Sequence, residues 1–243
     1  MKPNTRLTKT FIAVMVAAAM AATTYASLAT HSLHPSLALA VLALAAATSR
    51  MKVKLPGIDG SMSVNLPFLL MAVVNLSAAE AVFIACVSTV VQCWPQRGAK
   101  FRPEQMVFNV SMMAFAASVA SLIWNAGWVG KTAWASEPLM LASATAAFFV
   151  GQTAPVAGMI KLAEGTLMRR IWFGIVQMSF PYYVLSAAVT SMVNLVSHHA
   201  GWRAALVLFP VMYGVHRSYR LYFGRRTETL PAAPRARAAG AGA

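Results

Sequence analysis

The side chains able to do chemistry in this chain are few and mostly neutral. Seven amides fall inside or at the edges of long apolar runs: Asn75, Gln92, Asn109, Asn125, Gln152, Gln177 and Asn194. A polar residue within a membrane span is a functional candidate by default, because it must find its partners where there is no water. An amide donates and accepts hydrogen bonds but has no proton to give up at neutral pH. No run holds an acid or a base near its centre, which argues against a proton relay or an ion-coupled pump. The plainer role for each amide is an interhelical hydrogen bond, typically about 0.6 kcal/mol.

The titratable residues cluster elsewhere. His31, His34, His198 and His199 flank the apolar runs, and imidazoles from two loops could share a metal ion. No carboxylate stands beside them in sequence, so solvated loop histidines are the simpler reading. Ser197 next to His198 lacks an orienting acid. No nucleophile elbow, P-loop or HExxH pattern occurs, nor a carboxylate pair in a polar segment, and no cofactor motif is present. The expectation is a chain that is not an enzyme and carries no cofactor or metal. Cys86 and Cys93 are two helical turns, or about 10 Å, apart, too far for a disulfide within one helix. They read as buried apolar thiols.

Composition fixes the setting for these groups. Of 243 residues, 58% are hydrophobic and 11% charged, with mean hydropathy +0.62; average soluble domains are about 25% charged. Too few charges remain to coat a soluble globule. The net charge of +14 would suggest nucleic acid in a soluble protein. Here the basic residues sit in short clusters between apolar runs, as topology signals and anionic-lipid contacts do. Nucleic acid is therefore not expected as a partner; a bilayer with an anionic inner leaflet is.

Eight apolar segments follow, at residues 11–30, 37–48, 64–76, 78–94, 106–124, 138–160, 171–196 and 202–215. The basic start, first run and "TYA" have the form of a secretory signal cleaved after Ala26, but apolar character continues beyond that point. Ala13, Ala17 and Ala21 recur every four residues, a spacing suited to close helix packing. Ser77 and Glu80 have capping-box spacing, so a helix restarts at Ser77 and residues 64–94 form two segments. Glu80 is thereby assigned to a helix cap, and Asp59, between Gly57 and Gly60, to a solvated turn. Thirteen residues from Val64 reach only about 20 Å as a helix, short of a hydrocarbon core near 30 Å. That arm is expected to be short or re-entrant, one limb of a broken hairpin. Pro103 suits a helix first turn, Gly165 a helix stop, and Pro181 a kink.

Electrostatic sidedness threads these segments. Arg50, Lys52 and Lys54 precede the hairpin, and Arg97, Lys100 and Arg102 follow it. Both clusters are expected to face the cytoplasm, with an even number of crossings between them. This threading puts both termini inside and leaves only Lys131 and Arg203 outside. Residues 1–226 form the integral membrane helical domain, and the Ala/Pro/Arg-rich 227–243 reads as a disordered cytoplasmic tail.

Several strings carry a family likeness: residues 49–82 around "KVKLPGIDGSMSVNLPFLL", "VVQCWPQRG", "SFPYY" (Ser179 to Tyr183), and "RSYRLY" (Arg217 to Tyr222). They resemble the N-terminal membrane region of bacterial HD-type phosphodiesterase and diguanylate cyclase proteins. In that family the last helix continues into a cytoplasmic signalling region. Here only the low-complexity tail follows Arg226, so the resemblance implies a sensory module without its output domain, served by a separate cytoplasmic partner. A looser similarity runs to the substrate-binding S components of energy-coupling-factor vitamin importers. It rests on the "LPG…G" loop, Leu55 to Gly60, before a broken hairpin and on the Ala13/Ala17/Ala21 face, which in that family docks the coupling subunit.

The expected fold is thus an all-α polytopic bundle of about six to eight membrane segments with a short broken or re-entrant hairpin, in the bacterial inner membrane. The expected function is a non-catalytic module responding to a ligand and relaying inward through its last helix; the alternative is an S-component-like importer subunit. A small-molecule pocket is expected near Asn65, Asn109 and Gln152. Partner contacts are expected at Ala13, Ala17 and Ala21 or, through a cytoplasmic signalling protein, at Arg217 and Arg220.

Overall fold

The computed structural model describes residues 5–29, 33–54, 61–95, 101–126, 136–165 and 167–200, with Pro210, Tyr213, Gly214, Arg217 and Ser218. Seven helices and one small ribbon occupy them: α1 (Thr5–Ala29), α2 (Pro35–Ser49), β1 (Lys52–Lys54), β2 (Ser61–Ser63), α3 (Leu66–Asn75), α4 (Ala78–Cys93), α5 (Pro103–Asn125), α6 (Ser136–Glu164) and α7 (Met168–Ala200). The expected all-α bundle is found, with one addition. The charged hinge pairs as a two-stranded antiparallel ribbon, Val53 opposite Met62. The eighth apolar segment and the tail fall almost wholly outside the described residues.

Four helices, α1, α5, α6 and α7, are long and apolar enough to cross a membrane. The protein is a multi-pass membrane protein built on them. α5 is the axis, lying against α1, α3, α4 and α6. α1 runs parallel to it in steady register. Lys9 Nζ pairs with Glu104 at 3.6 Å, the rings of Phe11 and Phe108 lie 6.0 Å apart, and Thr23 and Ser118 hydroxyls meet at 3.0 Å. Ala26, at the cleavage site considered above, is buried. α6 returns antiparallel to α5 at very close range, since a Cβ on Gly151 would stand 3.2 Å from Ala116 Cα. α7 turns back along α6, with Phe149 edge-on to Tyr183 at 4.7 Å.

The ends of these helices obey their sequence signals. Pro103 opens α5, where the lost N–H had no intrahelical acceptor. α6 stops at Gly165, whose φ of 71° is the left-handed conformation that closes a helix, and its N–H bonds Lys161 O at 2.8 Å. Ser77 and Glu80 form the complete capping box at the start of α4. Pro181 lies inside α7, which continues as one helix through it.

Candidate functional site

The most unusual element is the hairpin of α3 and α4. Asn65, just before α3, places Nδ2 3.5 Å from Ser88 Oγ, well inside α4. Residues flanking a two-residue turn at such distance can meet only if the two helices fold back side by side. α3 has ten residues and is therefore about 15 Å long, half a hydrocarbon core. Every side chain from Leu66 to Val73 is buried, and α2, α4, α5 and α7 surround it.

Depth can be measured along α5. Its first turn carries the Lys9–Glu104 ion pair, at the charged end of the bundle. Asn109 lies about 8 Å beyond Glu104, and its Nδ2 is 3.3 Å from Cys93 Sγ. Ser88 lies a further turn and a half up α4, so Asn65 sits about 15 Å from the charged end, about half the thickness of a hydrocarbon core. α3 thus starts at the middle of the bundle and rises to the far side. The short arm expected from its length is thus a half-length helix that begins in the interior, the broken limb of the hairpin.

The opposite rim is held by Glu80. Its Oε2 accepts from Ser77 N at 3.0 Å and Ser77 Oγ at 2.8 Å, while Oε1 accepts from His34 N at 2.9 Å. The cap assignment holds, and one carboxylate also ties the start of α2 to the hairpin turn. Nothing in the local sequence around His34 signals this, because the bond spans elements far apart along the chain.

Asn65, Asn109 and Gln152 share a depth range but not a common partner. Gln152 Nε2 lies 3.3 Å from Met113 Sδ, and its Oε1 accepts a hydrogen bond from the buried Tyr183 hydroxyl. Asn65 belongs to the α4 side of α5, Gln152 to the α6–α7 side. Asn75 and Asn125 bond carbonyls of their own helices, and Asn194 bonds Glu137. Asn109, Gln152 and Asn194 thus bond across helices, the plainer role expected of these amides. Hydroxyls add further interhelical links: Thr23 to Ser118, Trp172 Nε1 to Thr153 Oγ1 at 3.2 Å, and Thr190 Oγ1 to Pro67 O at 3.3 Å. The last joins α7 to the first turn of α3. It uses a free lone pair of a first-turn carbonyl that α7 can reach because α3 begins in the interior, a feature visible only once the pairing is known.

Ala13, Ala17 and Ala21 lie on the exposed face of α1, while Met15, Ala19 and Ala26 face the bundle. Arg217 is exposed, and Arg220 lies outside the described residues, as do the Leu55–Gly60 loop and His31. Cys86 and Cys93 are free and half-buried, not fully buried as expected. Among the described residues no cluster of three or more His, Cys, Asp or Glu side chains could hold a metal ion. A groove of about 900 Å³ opens along α1, α5 and α6, lined by Phe11, Phe115, Ala147, Ala154, Gly158 and Lys161 among others. None of the three candidate amides lines it.

No protein-family model, curated protein or solved structure matches the chain.

Proposed function

We propose that this chain is a non-catalytic membrane module that takes up a small ligand beside its broken hairpin and relays the event inward through α7 and the segment after it. One observation carries the reading. α3 is a buried half-length helix whose first turn hydrogen-bonds α7 through Thr190 and Pro67, so a displacement of α3 moves α7 directly. Helices that break at mid-bilayer are where membrane proteins place solute and ion sites, because only there is irregular backbone tolerated at depth. Asn65, buried to 3% exposure, is the polar side chain nearest that break. Asn109 and Gln152 are the flanking amides at similar depth. The receiving partner is a cytoplasmic signalling protein contacting Arg217 and Arg220 on an inward-facing C-terminal segment.

The second reading is the ligand-binding subunit of a small-molecule importer. What favours it is the exposure of the Ala13/Ala17/Ala21 face, which offers a smooth helix surface for a coupling subunit.

Native mass spectrometry of the full chain extracted in mild detergent tests the ligand. We expect a retained small molecule that is lost in Asn65→Leu. A wild-type protein that is empty from its native membrane, and an Asn65→Leu variant with the same partners and stability, would overturn the reading. Partner capture separates the two versions. Leucine at positions 13, 17 and 21 abolishes capture of an ATPase-linked coupling subunit in the importer, and leaves capture of a signalling enzyme unchanged in the relay.

A further inference from the structure

The groove along α1, α5 and α6 is apolar except at one end. Every lining residue but Lys161 is apolar or glycine. Lys161 stands in the last turn of α6, and Gly158, one turn before it, faces Phe11 near the start of α1. This is the end at which Lys9 and Glu104 pair. Among the described residues Lys161 has no carboxylate partner, and Arg169 and Arg170 are exposed just beyond the α6–α7 turn. From Lys161 the groove follows α6 to Ala146, about 22 Å along the helix. One leaflet contributes about 15 Å of hydrocarbon, so the groove runs from headgroup level past the bilayer centre.

We infer that this groove is a binding site for one anionic phospholipid, its acyl chains against α1 and α6 and its phosphate at Lys161. Charge complementarity selects that occupant. A helix from another protein would bury the unpaired ammonium against apolar surface, at substantial cost unless it supplied a carboxylate. A phospholipid from the Lys161-side leaflet brings a phosphate to that level and hydrocarbon to the rest. At the Lys161 end Gly158 packs directly on Phe11, where a Cβ would meet the ring at 3.1 Å, so α1 and α6 meet there and both wall the groove. The site does not depend on the ligand or relay proposed above.

The test uses the delipidated full chain titrated with dioleoyl phosphatidylglycerol or dioleoyl phosphatidylcholine and read by native mass spectrometry. We expect a one-to-one adduct favouring phosphatidylglycerol by about fivefold, the effect of one basic residue near an anionic headgroup. Lys161→Gln removes that preference and keeps the helix content unchanged. Ala154→Phe, which fills the groove, lowers retention of both lipids; Ala146→Phe, at an exposed lining position, serves if that variant does not fold. Equal retention of the two lipids by the wild type, or adducts unaffected by both Lys161→Gln and the phenylalanine variant, would mean annular lipid only and would sink the proposal.

Discussion

α1 and α3 are both apolar helices, and they use that character in opposite ways. α1 has 25 residues, and only 17% of its most apolar window is buried inside the protein. α3 has ten residues and hides all of its first two turns. Hydropathy alone does not separate them, since lipid and protein interior are equally apolar solvents for a leucine. Length does. A helix able to span the bilayer can rest against lipid, because its backbone is satisfied internally and its ends reach water. A helix of half that length leaves an end at mid-bilayer, and the protein must surround that end to satisfy it.

The largest expected effect tests whether α3 is a packed core element. Phe68 is fully buried, and Phe68→Ala is expected to cost about 3–5 kcal/mol. Met20→Ala on the exposed face of α1, where Met20 is 67% exposed, is expected to stay within about 0.5 kcal/mol. Unfolding curves in mixed micelles followed by circular dichroism compare the two; similar losses would erase the contrast. A medium effect sharpens it at the rim of the hairpin. Ser77→Ala removes the N-cap acceptor of α4 and is expected to cost about 1 kcal/mol in the same assay. The smallest effect has the opposite sign. Gly174 in α7 has open space around its missing Cβ, so Gly174→Ala should stabilise by about 0.5–1 kcal/mol. Gly151→Ala should destabilise, because the new methyl would press on the α5 backbone at Ala116.

Much of this fold is legible in the chain. The Ser77/Glu80 box, Pro103 and Gly165 mark helix ends by local bonding, and local bonding survives in sequence. The shortness of α3 follows from counting residues against bilayer thickness. The ribbon was also written there, as Lys-Val-Lys and Ser-Met-Ser alternation, but three-residue strands are too brief for periodicity to distinguish from a turn. The candidate site was less legible. Amides stand out by type, and Asn109, Gln152 and Asn194 do link helices, but their type does not name their partners; the hydroxyl links of Thr23, Thr153 and Thr190 are hidden among many Ser and Thr that bond their own helix. The parallel pairing of α1 with α5 joins segments far apart in the chain, and no single-helix pattern encodes a partner. The groove of Lys161 is a property of that pairing and was invisible for the same reason.

Glu80 fastens the mouth of α2 to the bend between α3 and α4. α2 is about 22 Å long, and its far end is seated as well, with Ala45, Thr48 and Ser49 buried. That end leads directly into the lysine-bearing ribbon. Pinned at one end by a carboxylate and at the other by packing, α2 works as a strut that sets where the ribbon begins.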